Sequence, residues 1–222
     1  MELFTVDQIR QGAEAYQANE PRDAMYWVTS QWVQQYWPSS EVGEPSWAEV
    51  ANGLGVLLLT WNMSYYRFGP LDLQQLEQFL IDFGGQVMGY RPRQITSLTP
   101  ADEAGLRPLL NAALLALARV GGPPSPVSVA KALNPLAPDF FPLWDRSIAE
   151  AFVGTVTGMN FADQYIAFMN LTKTQIDQLI EDWGSWSNVS DQLTIDSISK
   201  PLLKRLDENN YARYTYPWVT SP

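Results

Sequence analysis

The sequence predicts an all-α, multi-helical protein, and three observations support this. Apolar residues recur at spacings of three and four along most of the chain, capping residues and prolines stand where helices would begin, and no pair of alternating apolar segments predicts a β-hairpin. At 222 residues, the chain has the length of one domain. We expect about nine helices in a single helical domain over residues 1–222, and two lobes around a cleft would be compatible with this fold.

The N-terminal part predicts four helices. Thr5 is placed to cap the first helix, and Gly84-Gly85 is placed to end the fourth. The third helix is apolar on most sides, so it should be central and buried. The predicted ranges are 6–18, 22–37, 46–66 and 73–83.

Prolines and capping residues divide the C-terminal part. Thr99-Pro100 predicts a helix start, and Pro108 is expected to split that segment into a short turn and a second helix. Ser125-Pro126 opens a short helix that Pro135 should end. Further helices are predicted after Asp145, over 161–183 with a possible interruption near Thr172, and over 198–206.

Missing residue types exclude whole classes of chemistry. The chain has no histidine and no cysteine, so Ser-His-Asp and Cys-His nucleophiles, thiolate metal centres and disulfides are all excluded. Any acid, base or nucleophile must come from Asp, Glu, Lys, Tyr, Ser or Thr. Nothing in the sequence predicts a metal site or a bound cofactor.

The charge distribution bears on the partner. The net charge is −10, yet residues 91–150 carry six basic and five acidic side chains. Phosphate binding depends on Lys and Arg that release counterions, so this balance disfavours DNA but is compatible with a small anionic ligand. The sequence has neither a transmembrane-length apolar run nor a basic signal-peptide start, so we expect a cytoplasmic protein without membrane contact.

Lys131 and Asp145 form the candidate reactive pair. The neighbours of Lys131 on its helix are apolar, and apolar surroundings lower the pKa of a lysine and make it a better nucleophile. Asp145 stands at a predicted helix N-terminus. A structural interpretation is also open, in which Lys131 extends along apolar surface, Asp145 only caps its helix, and the two form an ion pair.

The segment around this pair resembles a known superfamily. Ala130-Lys131-Ala132-Leu133 and the later Pro138-Asp139-Phe140-Phe141-Pro142-Leu143-Trp144-Asp145 look like the core of the helix–hairpin–helix DNA glycosylases, and like bacterial relatives that share a Trp61-Asn62 pair. The resemblance covers about residues 105–155, around which the helices over 5–90 and 160–210 should pack. It implies that Asp145, and in bifunctional members Lys131, acts at the sugar C1′ carbon. The chain departs from the superfamily at Val120-Gly121-Gly122-Pro123-Pro124, where the phosphate-binding hairpin is expected, and it lacks the usual histidine after Asp145.

A second cluster predicts ligand contacts. Trp61-Asn62-Met63-Ser64-Tyr65-Tyr66-Arg67 ends an apolar helix, where Asn62 could hydrogen-bond a ligand edge and the aromatic rings could stack on a flat group. Alternatively, Asn62 satisfies a nearby backbone group and the rings belong to the core. The candidate ligand-binding residues are Trp61, Asn62, Tyr65, Tyr66, Arg67, Trp144 and Arg146.

These features predict a glycosylase-like protein that acts on an N-glycosidic bond of a damaged DNA base or of a modified nucleoside or nucleotide. The alternative is a non-catalytic helical protein that binds a small ligand or another protein. The adjacent acids Glu181-Asp182 and Asp207-Glu208 face different directions on their helices, so we expect solvated surface rather than a metal cage.

Overall fold

The fold is all-α, as predicted. The computed structural model describes residues 3–37, 46–61, 69–118, 120, 122–195 and 199–220. Over these residues it contains ten α-helices, with a 3₁₀ turn at Ile95–Ser97 and a π-helical turn at Tyr211–Thr215. The helices are α1 (Val6–Asn19), α2 (Asp23–Tyr36), α3 (Trp47–Trp61), α4 (Leu73–Tyr90), α5 (Pro100–Ala116), α6 (Pro126–Leu136), α7 (Arg146–Val153), α8 (Phe161–Trp183), α9 (Trp186–Gln192) and α10 (Leu202–Asn210).

Side-chain caps fix the starts of several helices. Thr5 and Thr99 each form a capping box at the start of α1 and α5, in which the residue three positions later bonds back to the cap. Ser125 and Asp145 accept hydrogen bonds from backbone amides in the first turns of α6 and α7. These four predicted starts are confirmed, because the capping signal is local in sequence.

Two predicted helix breaks are wrong. Helix α4 continues through Gly84-Gly85 to Tyr90, because Gly84 is buried against the Trp47 ring, which fills the space of a Cβ. This glycine serves close packing rather than helix termination. Helix α5 continues through Pro108, where the buried Leu106, Leu109 and Leu110 hold the helix against the core and outweigh one lost backbone hydrogen bond.

Other boundaries also differ from the prediction. Helix α6 runs one residue past Pro135, α8 is continuous through the buried Thr172, and the last helix begins at Leu202. Helix α9 is absent from the sequence prediction because it is only seven residues long. The predicted extension of the third helix to residue 66 lies outside the described residues.

The core is built around α3, whose Leu54 and Leu58 are fully buried, as its apolar sequence predicts. Helix α2 packs on α3, α5 on α8, and α1 on α10. At the last contact Gly12 lies against the backbone of Asn209, so α1 and α10 approach closely. Within the described ranges, no helix combines the length and apolar character of a membrane-spanning segment.

Candidate functional site

Lys131 and Asp145 line one small cleft. The cleft has a volume of about 20 Å³, room for about one water molecule, and is partly open to solvent. It lies between the C-terminal end of α3, the middle of α6, the start of α7 and the C-terminal end of α10. Its lining residues are Trp61, Lys131, Leu143, Trp144, Asp145, Asp207 and Tyr211.

Lys131 reaches the cleft from α6 and has an unusual environment. Its Nζ lies 4.7 Å from the centroid of the Trp61 ring and donates a hydrogen bond to the Trp61 carbonyl oxygen at 3.4 Å. That carbonyl belongs to the last turn of α3, where carbonyl groups lack helical partners. Among the described residues, no carboxylate lies within 4.0 Å of this amine, so the predicted ion pair with Asp145 is absent.

The pKa of Lys131 is lowered to about 8, from an ordinary value of 10.5. Burial is the main cause, and the positive charges of Arg22 and Lys204 act in the same direction. Asp207 and Asp145 oppose the shift but do not cancel it. About a tenth of the amine is therefore unprotonated at pH 7, which makes Lys131 a potential nucleophile.

Asp145 is held rigidly at the N-terminus of α7. Its Oδ1 accepts a hydrogen bond from the Ile148 amide at 2.9 Å, and its Oδ2 accepts one from the Thr215 hydroxyl. Two further contacts order the preceding loop, since the Tyr165 hydroxyl donates to the Pro142 carbonyl and the Asn134 amide donates to the Phe141 carbonyl, each at 2.7 Å. The carboxylate is thus fixed in place as well as being a helix cap.

The sequence reasoning missed three residues that line the cleft, Leu143, Asp207 and Tyr211, and Asp207 is the acidic one among them. The expectation that Asp207-Glu208 forms solvated surface is wrong, because the Asp207 side chain is 6% exposed and the Glu208 side chain is fully buried. Burial raises the pKa of Asp207 to about 6; Lys204 opposes this rise, and the negative charges of Asp145 and Glu208 add to it. By contrast, Glu181 and Asp182 are exposed as predicted.

A buried ionic network holds Asp207 in the cleft. Lys204 lies 3.1 Å from Asp207, 3.5 Å from Asp23 and 3.6 Å from Glu208. Lys200 bridges Asp23 at 2.5 Å and Glu208 at 2.6 Å, and Arg205 lies 2.9 Å from Glu208. The three cations balance the three carboxylates, which is the condition under which charges are tolerated in a core. The spacing of three and four between opposite charges from residue 200 to 208 is the sequence signal that could have revealed it.

Aromatic rings enclose the centre of this network. The Nζ of Lys204 lies 4.3 Å from the Tyr16 ring centroid, 4.8 Å from that of Trp61 and 5.2 Å from that of Tyr26. Although burial disfavours its charged form, the neighbouring Tyr16, Asp207, Glu208 and Asp23 together raise the pKa of Lys204, so it stays protonated. Trp61 therefore contacts both Lys204 and Lys131, and it connects the network to the cleft.

Tyr211 forms the far wall of the cleft. Its hydroxyl accepts a hydrogen bond from Arg22 at 3.0 Å and donates one to Glu20 at 3.2 Å. The Tyr211 ring also packs edge-on against Tyr16 at 5.3 Å between centroids. These contacts fix an aromatic face at the cleft, which is the type of surface on which a flat ligand ring can stack.

The other predicted ligand-binding residues are distributed differently. Trp144 lines the cleft edge but is 1% exposed, and it packs against Phe168 in α8. Arg146 does not line this cleft; it pairs with Glu150 at 2.8 Å and borders a wider depression on the outer side of α7. The predicted contacts of Asn62, Tyr65, Tyr66 and Arg67 lie outside the described residues.

The cleft combines a lysine, two carboxyl groups and aromatic walls. In the part of the chain that the structure describes, no group of three or more acidic side chains is arranged to hold a metal ion. Two groups with pKa values near neutrality, Lys131 and Asp207, are matched to acid–base or nucleophilic chemistry at physiological pH. No family model, curated protein or solved structure matches the chain.

Proposed function

We propose that the chain cleaves the N-glycosidic bond of a small nucleobase-containing substrate at this cleft, in a fold like that of the helix–hairpin–helix glycosylases. The observation that carries the proposal is the amine of Lys131, which has no carboxylate within 4.0 Å among the described residues and lines a cleft shared with Asp145 and Asp207. A lysine with a lowered pKa is suited to attack carbon, and two nearby carboxyl groups suit a reaction that builds positive charge on a sugar.

Each side chain has a distinct role in the proposed reaction. The Lys131 amine forms a bond to C1′ while the base departs with the electron pair of the broken C1′–N bond. The departing base takes a proton from the Asp207 carboxyl group. A proton then moves from the bound amine to the ring oxygen as the bond between C1′ and that oxygen breaks, which leaves an iminium bond between C1′ and Lys131 that borohydride can reduce. Water hydrolyses this bond to a sugar aldehyde and the neutral Lys131 amine, and the extra proton returns to Asp207. The fixed carboxylate of Asp145 stabilises the positive charge that develops on the sugar ring.

The aromatic walls and the charge pairing around the cleft favour a free nucleoside or nucleotide over DNA. The cleft has a volume of about 20 Å³, so a substrate base enters only when the side chains that line it move apart. The aromatic faces of Trp61 and Tyr211 suit a single flat base. Arg93 and Arg107, which could have contacted a DNA backbone, are paired with Asp102 and Glu103.

One observation favours a second candidate function. Both oxygens of Asp145 already accept hydrogen bonds within the protein. If these bonds are the whole role of Asp145, the cleft belongs to a non-catalytic protein that binds a flat ligand, with Lys131 as a hydrogen-bond donor.

The deciding experiment measures base release by mass spectrometry. The chain is incubated with a panel of natural and modified nucleosides, nucleotides and damaged duplex DNA, and borohydride is added in parallel to trap a covalent adduct. We expect release from a nucleoside or nucleotide, loss of release in Lys131→Met and Asp207→Asn, and normal release in the control Lys173→Met, whose lysine pairs with Asp177 in α8. The rate should peak near pH 7 and fall below about pH 6 and above about pH 8, because the active form needs the neutral amine and the protonated carboxyl group.

The alternatives give different results. Binding of a nucleoside without base release or adduct supports the non-catalytic candidate, and release only from DNA overturns the proposed substrate class. Absence of binding, release and adduct across the panel refutes the glycosidic proposal.

A further inference from the structure

A second cavity lies apart from the cleft and shares no lining residue with it. It has a volume of about 270 Å³. It is bounded by one face of α2, the C-terminal ends of α4 and α6, and the segment that leads into α10. A volume of this size is close to the lower limit for small-molecule sites, about 300 Å³, and suits a ligand with a single ring.

Two basic residues lie on the cavity wall. Arg91 and Lys200 are its charged lining residues, and no acidic side chain among the described residues lines it. Asp23 and Glu208 pair with Lys200 and largely neutralise its charge. Arg91 is different, because in the described part of the chain no carboxylate lies within 4.0 Å of its guanidinium.

The guanidinium of Arg91 is held in place with donors left over. Its Nη1 donates to the carbonyl oxygens of Leu136 at 2.7 Å and Pro135 at 3.2 Å, at the C-terminal end of α6. The group also lies over the Trp37 ring, 5.3 Å from the centroid. Its Nε and Nη2 donate to no described residue, and this edge of a guanidinium matches two oxygens of a carboxylate or phosphate.

An unpaired arginine is unusual in this protein. The chain has 24 acidic against 14 basic side chains, so most cations can find an acid. Of the described lysines and arginines, Arg91, Lys131 and Arg213 alone lack a carboxylate within 4.0 Å. Arg213 is occupied by acceptors on Asn209, Thr220 and Gln8, and Lys131 faces the cleft. Arg91 is thus the one of the three with donors free to face the second cavity.

The opposite wall presents an aromatic ring and two amides. Trp27, Gln31 and Gln34 follow one another at spacings of four and three, so they share one face of α2 and all line the cavity. The Trp27 side chain is 49% exposed, although its size and apolar character favour burial. A flat apolar group beside an anionic group would cover this ring while the anion reaches Arg91.

We propose that this cavity binds a small organic oxyanion, a carboxylate or phosphate ester that carries a flat apolar group. The arginine edge binds the anion, the glutamine amides donate further hydrogen bonds, and Trp27 stacks on the apolar group. The site is independent of the proposed glycosidic reaction.

The test is calorimetric titration of the full chain with benzoate, with phenyl phosphate and with the neutral benzyl alcohol. We expect saturable binding of at least one anion with a Kd of about 1 mM or tighter, and none for the alcohol. The preference between the two anions identifies the oxyanion. Arg91→Met and Trp27→Ala should each weaken binding about tenfold or more, while Arg93→Met, whose arginine pairs with Asp102 outside the cavity, should not.

Two controls keep the outcome interpretable. Because Arg91→Met also removes hydrogen bonds to α6, its fold is checked by circular dichroism, and the exposed Trp27→Ala provides an independent loss. Lys131→Met must leave anion binding unchanged, since an effect there would place the anion in the cleft and overturn this proposal. No saturable binding of either anion, or binding that both cavity variants retain, also overturns it.

Discussion

At the residue scale, the buried environment of Lys131 lowers the free energy of unfolding and at the same time makes the amine more reactive. In the folded chain its pKa is about 8, against 10.5 for an ordinary lysine. The folded state therefore binds this proton less tightly than the unfolded state does. The charged amine destabilises the fold below about pH 8, and this effect disappears as the pH rises towards 10.5.

Lys131→Met tests this destabilisation. The methionine side chain is unbranched and one heavy atom shorter than lysine, and it removes the desolvated charge. We therefore expect unfolding at pH 7 to require about 2 kcal/mol more than in the wild type, after allowance for the lost Trp61 contact. The difference should shrink between pH 8 and pH 10.5. Urea unfolding at several pH values measures it, with Lys173→Met as the control. A less stable variant at pH 7 would show that the amine supports the fold instead.

Two substitutions at Asp145 distinguish its role as a helix cap from a role in catalysis. Asparagine caps a helix about as well as aspartate, whereas alanine does not. We expect Asp145→Ala to lose about 1 kcal/mol of unfolding free energy and Asp145→Asn to lose little. If the negative charge acts on the substrate, Asp145→Asn should still lose most of the base release. Normal release in a stable Asp145→Asn protein would leave capping as the role of this side chain.

The residue scale also shows what sequence can reveal about the site. Lys131 and Asp145 could be selected because apolar neighbours and a helix start are visible over a few positions. The pairing of Asp207 with Lys204 is visible in their spacing of three, but the burial of Asp207 could not be predicted in the same way, because it also depends on Asp23, which is far away in the chain. The sequence of one helix does not show which side chains from other helices will contact it in the fold.

At the element scale, the contact of α1 with α10 positions the network. Gly12 has no side chain, and a Cβ there would lie 2.7 Å from the Asn209 Cα. Backbone cannot yield as a flexible side chain can. The close approach places Tyr16, one turn further along α1, beside Lys204. A shift of α10 would therefore move Lys204 and Asp207 together.

Gly12→Ala should force the two helices apart. We expect a loss of about 2 kcal/mol or more in unfolding free energy and a lower rate of base release, because Asp207 moves with α10. Gly85→Ala is the matched control in α4, since a Cβ there meets nothing within 4 Å. It should raise stability by up to about 1 kcal/mol through helix propensity. Thermal unfolding of both variants measures the contrast, and equal effects would contradict the packing argument.

The same contrast explains which elements could be predicted. Helix starts at Thr5 and Ser125 depend on hydrogen bonds within one turn, so the sequence shows them. The continuation of α4 through Gly84 depends on Trp47 in another helix, and that of α5 through Pro108 depends on packing against the core. Tertiary contacts overrode the local signal in both cases.

At the scale of the whole molecule, the excess of acidic side chains leaves few lysines and arginines without an acidic partner. The acids outnumber the bases, and the described structure uses them to neutralise most cations, both in the buried network and on the surface. Among the described cations, Lys131 and Arg91 have no carboxylate within 4.0 Å and line cavities, and they lie at separate sites. Each is thus available to a small molecule in its own cavity.

This distribution predicts no salt-dependent retention of DNA. Arg93, Arg107 and Arg146 lie close to Asp102, Glu103 and Glu150, so their charges are largely cancelled at the distance of a phosphate backbone. Arg91 faces the second cavity, and Arg119 lies outside the described residues. Fluorescence anisotropy of a labelled duplex at about 50 mM salt should therefore show no binding at micromolar protein, because few counterions would be released. Binding that weakens steeply with added salt would show that a basic surface exists, and it would make DNA, rather than a free nucleoside, the substrate to test first at Lys131.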